Sequence, residues 1–410
     1  MPPFLLGINY WPRRSALSWW ERFDLNEMCD DFAQIAALGF DVVRFFLRWE
    51  SFQPSPEQID AGALAHFEQV MTALDEAGLR GMPTLFCGHM SGVNWLPEWT
   101  LDPGTPAGRF RTISGGRERA CGIGDFYADP NLLGAQERLA RALGERVCAH
   151  PALLGWDLGN EFSNLRQPTS AADAAGWSAR LSCALEESSA RPVSAGTHGE
   201  DLSQDRNLRL SSLCAPFAYA TMHGYPVYSS FARNRLDPNV VPFLAELASA
   251  CAGKPVLFTE LGNPGAPRGT VSPGDRVPLP GEALLRADAL PKNAAPYACA
   301  TDEEMARYAY ETIARLHARG ALGAFWWCFA DYARDLADQP PFDRAPHELH
   351  FGIVDADGNA KPVAQALRRF AQEQRRVVAA PPPLVDETTY YTALPQGLEG
   401  LYRGYCALYP

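Results

Sequence analysis

Two glutamates stand at the ends of short apolar runs: Glu161 closes LLGWDLGNE and Glu260 closes KPVLFTE. An apolar run that stops at a carboxylate is typical of a buried parallel strand that delivers one acid to the mouth of a barrel. Two carboxylates at one mouth are the groups that cleave glycosidic bonds. The pattern therefore predicts a paired-carboxylate site that acts on a linkage between sugars.

The elements that must position these acids repeat along the chain. Apolar runs of strand length alternate with longer segments of helical period, which is the pattern of βα units around a parallel sheet. The predicted strands are residues 5–9, 42–47, 81–86, 153–158, 193–197, 218–223, 256–259 and 323–329. The predicted helices are residues 25–38, 61–77, 135–148, 171–189, 240–252 and 302–319. Eight strands with helices between them predict an α/β fold, a single (β/α)8 TIM barrel.

Three long connections interrupt this rhythm, at residues 89–130, 261–300 and 330–350, and each follows a predicted strand. Loops after strands form the catalytic face of such a barrel, so we expect them to wall a pocket. Ordinary surface insertion is the alternative interpretation.

The chain divides into two predicted parts. We assign residues 1–375 to the barrel and residues 376–410 to a C-terminal extension that straps across its exterior. A Pro-rich turn at residues 380–383 begins this tail, which carries several tyrosines.

Composition restricts the partners. The net charge of −12 and the isoelectric point near 5.2 argue against a nucleic-acid surface, because excess carboxylates repel phosphate. No apolar run approaches the ~20 residues of a membrane helix, and the first strand begins without a preceding signal-like segment. We therefore expect a soluble, cytoplasmic protein that binds neither nucleic acid nor membrane.

The ten cysteines are scattered without a C-x-x-C pair or a Cys/His cluster. In a chain of this length they predict reduced, mostly buried thiols. The sequence predicts no metal site and no cofactor.

Further residues with chemical potential lie at or near the ends of other predicted strands. They are Arg44 in VVRFF, Asn160 beside Glu161, His223 and Tyr225 in MHGYP, and Trp326 and Trp327 in GAFWWCFADY. Together with the two glutamates, this set resembles the clan A retaining glycoside hydrolases and is most similar to family 5, the cellulase and mannanase family. The resemblance spans about residues 4–375, and its pieces fall in order on the second, fourth, sixth, seventh and eighth predicted strands.

The resemblance implies a role for each acid. Glu161 would be the acid/base and Glu260 the nucleophile, with their carboxyl groups about 5 to 5.5 Å apart. Arg44 would keep Glu260 ionised, and Tyr225 would orient it. Asn160 would bind the sugar 2-hydroxyl.

Three further ligands follow from the same resemblance. His223 would line the floor of the site, and His89, after the third predicted strand, would contact a subsite. Trp327 would offer its ring to the sugar, with Trp326 as the less favoured choice. Each of these residues also has a structural alternative: His89 can simply bond a loop, and a strand-end Arg or Glu can form a salt bridge.

These residues say less about which sugar is bound, because they act at the anomeric centre and do not contact the whole sugar. Long loops that close one end of a cleft favour exo action, so we expect a β-mannosidase-like enzyme that acts on short oligosaccharides or glycosides. An endo-β-mannanase or glucanase, or a β-glucosidase or β-galactosidase, remains the alternative. Oligomeric state is left open.

Two alternatives belong to other classes of protein. A catalytically inactive saccharide-binding barrel is disfavoured because both acids are present. A phosphate-handling barrel would need a Gly-rich loop after strands seven and eight and often a catalytic lysine; Gly262 and Gly265 are a weak match, and no lysine ends a predicted strand.

Overall fold

Eight parallel strands form the centre of the protein, whose computed structural model describes residues 2–265, 300–378 and 386–410. They are β1 (Leu5–Tyr10), β2 (Val42–Arg48), β3 (Arg80–Cys87), β4 (Trp156–Asn160), β5 (Val193–Gly196), β6 (Ala220–His223), β7 (Val256–Leu261) and β8 (Gly323–Trp326). Their order in the sheet is β5-β4-β3-β2-β1-β8-β7-β6. The predicted (β/α)8 barrel is therefore confirmed.

The barrel closes where β5 meets β6, through hydrogen bonds near their carboxyl ends. The Thr197 hydroxyl donates to the Thr221 carbonyl, and the Thr221 hydroxyl donates to the Ala195 carbonyl. The amide of His223 donates to the Thr197 carbonyl at 2.9 Å. This closure brings His198 and His223 side by side at the end of the barrel that carries Glu161.

Helices cover the outside of the strands. The main ones are α1 (Leu25–Ala37), α2 (Ala61–Glu76), α3 (Pro130–Val147), α4 (Ala171–Ser188), α5 (Val240–Ala252), α6 (Asp302–Ala318), α7 (Pro362–Gln372), α8 (Glu387–Thr392) and α9 (Gln396–Leu408). Short helical turns lie at Trp49–Phe52, Gly199–Ser203 and Leu210–Leu213. The fifth βα unit thus has only short turns where the other units have a helix of at least eleven residues.

Several predicted boundaries differ from the structure by one or more residues, and two of the larger differences have a clear cause. Helix α3 begins at Pro130 and not at residue 135, because the Asp129 side chain accepts the Asn131 and Leu132 amides and proline suits the first helical turn. Strand β4 begins at Trp156 and not at residue 153. Leu153 forms only an isolated bridge to the neighbouring strand, so the apolar run starts before regular pairing does.

The long connection after β3 folds into two small sheets. One pairs His89–Met90, Val93–Trp95, Arg111–Ser114 and Arg117–Arg119, and the other pairs Leu101–Asp102 with Gly122–Ile123. The loop after β8 contains the short turn Pro346–His350. Most of the connection after β7, residues 266–299, lies outside the described residues, as does the Pro-rich turn predicted at 380–383.

The C-terminal helices pack on the outside of the barrel. The Tyr391 hydroxyl donates to the Asp201 carbonyl at 2.9 Å, and the Tyr402 ring packs against Phe231 and Phe243. These contacts form the expected strap, while a domain boundary at residue 375 stays a prediction. The nine cysteines in the described residues are free thiols. Among those residues, no helix combines the length and the apolar character needed to cross a bilayer.

Inside the barrel an apolar layer supports a polar one. A buried apolar cluster inside the barrel consists of Val42, Met82, Leu257 and Phe325. Arg44 lies two residues beyond Val42 on β2 and is fully buried, so it belongs to the polar layer nearer the carboxyl ends of the strands. The functional site is built on that polar layer.

Candidate active site

Glu161 and Glu260 face one another across a single pocket. Glu161 directly follows β4, and Glu260 lies near the end of β7. One carboxylate oxygen of each lies within 4.8 Å of the other and of a His223 ring nitrogen. The His223 Nδ1 atom is 3.3 Å from Glu161 Oε1 and 3.7 Å from Glu260 Oε2. The barrel therefore brings together two acids that are 99 positions apart in the chain.

Glu161 has a backbone conformation that non-glycine residues seldom adopt. Its φ of 46° and ψ of 42° are left-handed, a conformation that is uncommon outside turns and functional sites. Its amide donates to the Gly196 carbonyl at 2.9 Å, which anchors the turn to β5. The Asn164 side chain donates to Glu161 Oε2 at 3.2 Å, and His198 Nδ1 lies 3.8 Å from the same oxygen.

Arg44 joins the strands beneath the two acids. It is fully buried, and its Nη1 atom donates to Glu260 Oε2 at 3.1 Å and to Asn9 Oδ1 at 3.0 Å. Its Nη2 atom donates to Asp157 Oδ2 at 2.7 Å and to Asn160 Oδ1 at 2.8 Å. This bonding fixes the guanidinium, and with it one oxygen of Glu260.

The surroundings of the two acids shift their pKa values to different extents. Burial raises the pKa of Glu260 above its usual value, although the charge of Arg44 and a hydrogen bond donated by the Tyr225 hydroxyl at 2.5 Å oppose that rise. Burial raises the pKa of Glu161 well above its usual value, and the negative charge of Glu260 adds to that rise. Burial also lowers the pKa of His223 well below its usual value, so this ring stays neutral. The geometry thus favours a protonated Glu161 beside an ionised Glu260.

The remaining predicted site residues divide into two groups. His89 and Trp327 line the pocket; the His89 Nδ1 atom bonds Asn94 Oδ1 at 2.8 Å, and the Trp327 ring packs against Trp11. Trp326 points the other way, because successive side chains on a strand alternate. It is fully buried against Tyr308 of α6, so the structure does not bring it to the pocket.

The pocket has a volume of about 910 Å³. Among the residues that line it are seven of those predicted from the sequence: His89, Asn160, Glu161, His223, Tyr225, Glu260 and Trp327. Arg44 lies under its floor. A pocket of this size suits a ligand of one or a few sugar rings.

Sequence reasoning missed several residues that shape the site. Asn9, which also donates from its side chain to the Thr259 and Trp326 carbonyls, could have been found as a polar residue ending the first apolar run. Asp157, which lies within the fourth predicted strand, is the fully buried partner of Arg44. Glu348 also lines the pocket, from the loop after β8, where no sequence pattern marks it.

The cluster of Glu161, His223 and Glu260 also has the spacing of a metal site. Its members already have partners that explain them as an acid pair: Arg44 and Tyr225 on Glu260, and Asn164 on Glu161. The absence of a metal and of a cofactor therefore stays a prediction.

Comparison with known proteins supports the resemblance at the level of structure. No protein-family model matches the sequence, and no curated protein sequence matches it. The exo-β-1,4-mannosidase Op5Man5 from Opitutaceae bacterium strain TAV5 is similar, with 26% identity and a TM-score of 0.71 over 91% of this chain and 60% of that one. This chain thus spans less than two thirds of that mannosidase.

A GH5_18 protein from Streptomyces cattleya in complex with GlcNAc is 22% identical, with a TM-score of 0.76 over 98% of this chain and 90% of that one. A variant of the same protein in complex with Manβ1-4GlcNAc gives 22% identity and a TM-score of 0.76 over 99% and 91%. These neighbours are glycoside hydrolases of family 5. They confirm the predicted resemblance of this chain to that family and its barrel fold.

Proposed function

We propose that this protein is a retaining β-glycosidase that removes a terminal sugar, with β-mannosidase-like specificity. The observation that carries the proposal is the distance of no more than 4.8 Å between carboxylate oxygens of Glu161 and Glu260. Retaining enzymes hold their carboxyl groups about 5 to 5.5 Å apart, whereas inverting enzymes leave roughly 6.5 to 9.5 Å for a water molecule.

In the first step, Glu260 attacks the anomeric carbon while Glu161 donates its proton to the departing oxygen. A covalent glycosyl ester forms on Glu260, and the glycosidic bond breaks. Arg44 and Tyr225 support this role because they favour the ionised form of Glu260. Asn160, held by Arg44 and by the His89 carbonyl at 2.7 Å, is the proposed partner of the sugar 2-hydroxyl.

In the second step, Glu161 acts as a base toward water. Esterification removes the negative charge of Glu260, which had helped to hold the proton on Glu161. The Glu161 carboxylate can then take a proton from the water that releases the sugar. One pair of acids thereby serves both steps, and Trp327 offers its ring to the sugar bound between them.

Similarity to an exo-β-1,4-mannosidase and to a protein solved with Manβ1-4GlcNAc supports a short β-mannosyl oligosaccharide as the substrate. An endo-acting or β-glucosidase-like enzyme remains the alternative within the same chemistry, and an inactive saccharide-binding barrel the alternative outside it. Cytoplasmic location and the absence of nucleic-acid partners stay predictions.

A panel of nitrophenyl β-mannoside, β-glucoside, β-galactoside and β-xyloside tests the substrate. We expect kcat/KM to be highest for the mannoside, and Manβ1-4GlcNAc to be split into mannose and GlcNAc. A preference for another sugar would correct the specificity and leave the mechanism intact. Binding of sugars without any turnover would instead support the inactive barrel.

The nucleophile is tested by labelling. A 2-deoxy-2-fluoro β-mannosyl fluoride should modify Glu260, detected as a mass increase on its peptide, and Glu260→Gln should abolish turnover without changing the thermal unfolding midpoint greatly. Glu246→Gln is the matched control, since Glu246 lies on α5 and pairs with Arg319 at 3.5 Å, outside the pocket. Labelling at any other carboxylate would contradict the assignment.

A further inference from the structure

The pocket contains a third buried carboxyl group, Glu348, that the proposed mechanism does not use. It lies in the turn Pro346–His350 after β8 and is 7% exposed. Buried carboxyl groups need hydrogen-bond partners, because an unsatisfied one is costly. The partners of Glu348 therefore indicate what the group is for.

Glu348 bonds to side chains from two other loops. Its Oε2 atom accepts from the Ser91 hydroxyl at 2.9 Å, in the loop after β3, and its Oε1 atom accepts from the Tyr228 hydroxyl at 3.2 Å, in the loop after β6. His347 Nε2 lies 3.5 Å from Oε1. A carboxylate offers about four acceptor positions, so the two hydroxyl donors and a side-chain hydrogen bond from Trp327 leave capacity for one ligand hydroxyl in the pocket.

The surroundings of the acids give the pocket two distinct ends. Glu161, the proposed proton donor, lies close to His198 and to the charges of Glu200 and Asp201. Because the proton donor faces the departing oxygen, the leaving group lies on that side of the pocket. Glu348 lies instead near the negative charge of Glu260, and the Trp327 side chain forms a hydrogen bond with its carboxyl group. The end with Glu348 therefore faces the sugar that is transferred to Glu260.

We infer that Glu348 is a specificity-determining residue, whose carboxyl group accepts a hydrogen bond from a hydroxyl of the terminal sugar at carbon 3, 4 or 6. This inference rests on the proposed function and extends it to the recognition of the substrate. A sugar whose own hydroxyl is bound by Glu348 cannot carry a further sugar unit on that hydroxyl, so it is the terminal sugar of the substrate. Glu348 thus explains exo action by a specific contact and not by loop length alone.

The test is a cycle of variants and substrates. Wild-type protein and Glu348→Ala are each assayed with nitrophenyl β-mannoside and its 3-, 4- and 6-deoxy analogues. Loss of the bonded hydroxyl should lower the wild-type kcat/KM by roughly 10- to 100-fold, the usual worth of a hydrogen bond to a charged group. The same deoxygenation should cost Glu348→Ala less than about threefold.

A merely structural clasp between the three loops predicts a different result, in which Glu348→Ala slows all substrates by the same factor. That outcome at every position would overturn the inference. If Glu348→Ala does not fold, the isosteric Glu348→Gln is used instead; it keeps a neutral acceptor but loses the charge, so the same deoxygenation should cost it less than it costs the wild type. Glu246→Gln serves as the control and should keep the wild-type discrimination.

Failure of the proposed function gives a separate signal. If the wild-type protein hydrolyses none of the substrates, calorimetric titration with methyl β-mannoside and its deoxy analogues measures recognition without turnover. Weaker binding of one deoxy analogue to the wild type but not to the Glu348 variant would support the contact in a binding protein. Equal losses in both proteins would refute it.

Discussion

At the scale of single residues, the neighbours of the two catalytic candidates separate their tasks. Glu260 receives a guanidinium hydrogen bond from Arg44 and a hydroxyl hydrogen bond from Tyr225. Glu161 has an amide donor, Asn164, and the neutral ring of His223. A direct guanidinium hydrogen bond to one acid and not to the other favours the ionised form of Glu260 and the protonated form of Glu161.

This separation predicts the pH dependence of the proposed activity, in the wild-type protein and in its Glu161→Gln variant. The wild-type kcat/KM should follow a bell, with the acid limb from protonation of Glu260 and the alkaline limb from loss of the raised-pKa proton of Glu161. In Glu161→Gln, assayed with a dinitrophenyl glycoside that needs no proton, the alkaline limb should vanish and the acid limb remain. Poor leaving groups should react about 10² to 10⁴-fold more slowly. An alkaline limb that persists would assign that proton to another group.

The sequence could predict those residues that have a fixed relation to a strand end. Glu161 and Glu260 each end an apolar run, so their positions at predicted strand ends placed them at one mouth of the barrel. Glu348 could not be found in this way, because its position depends on how a loop folds back over the pocket. Trp327 was favoured over Trp326 from its position in the motif, and the structure brings Trp327 and not Trp326 to the pocket.

At the scale of elements, the close approach of β4 and β5 sets the position of Glu161. A methyl group built at Gly196 would lie 2.1 Å from the Gly159 carbonyl oxygen and 3.3 Å from the Asn160 Cα atom. These are backbone atoms and cannot rotate away. Only glycine at this position lets the two strands meet directly before Glu161.

We therefore expect Gly196→Ala to displace the end of β4. The free energy of unfolding should fall by about 1–3 kcal/mol, the usual cost of overpacking. Because even a 1 Å misplacement of a reacting group can cost about 10²-fold, kcat/KM should fall by at least 10-fold. Chemical denaturation and steady-state assays measure the two effects.

Gly176→Ala on α4 is the matched control for this prediction. A methyl group there meets nothing within 4 Å, so the substitution should stabilise the helix by roughly 0.5–1 kcal/mol without changing kcat/KM. If both variants behaved alike, the contact between β4 and β5 would not be what positions Glu161.

Boundaries of elements were harder to predict than their existence. The Asp129-Pro130 pair is a helix start signal, and α3 begins there, five positions before the prediction. Leu153 and Leu154 extend an apolar run without extending the ladder of β4. Hydrophobicity identifies buried chain, but hydrogen-bond pairing decides where a strand begins.

At the scale of the whole molecule, eight apolar runs of strand length that alternate with helical segments predicted the barrel, and the structure confirms it. The contacts of the tail were not predictable in the same way. Tyr390 and Tyr391 donate to the Leu202 and Asp201 carbonyls, next to the His198 turn, across about 190 positions of sequence. Periodicity shows that a helix has an apolar face, but not which part of the barrel that face will cover.

The last prediction concerns how the tail stabilises the barrel. The Tyr402 hydroxyl on α9 donates to Asp237 Oδ2 at 2.7 Å, and both groups are buried. Tyr402→Phe keeps the ring against Phe231 and Phe243 but removes this bond to a charged partner, so the free energy of unfolding should fall by about 1–3 kcal/mol. The kcat/KM value should stay within about twofold, since Asp237 is not among the residues that line the pocket.

Tyr409→Phe is the control, because the Tyr409 hydroxyl has no hydrogen-bond partner among the described residues, and it should change stability by less than about 0.5 kcal/mol. Equal stability of the two variants in urea titration would mean that the tail is held by ring packing alone.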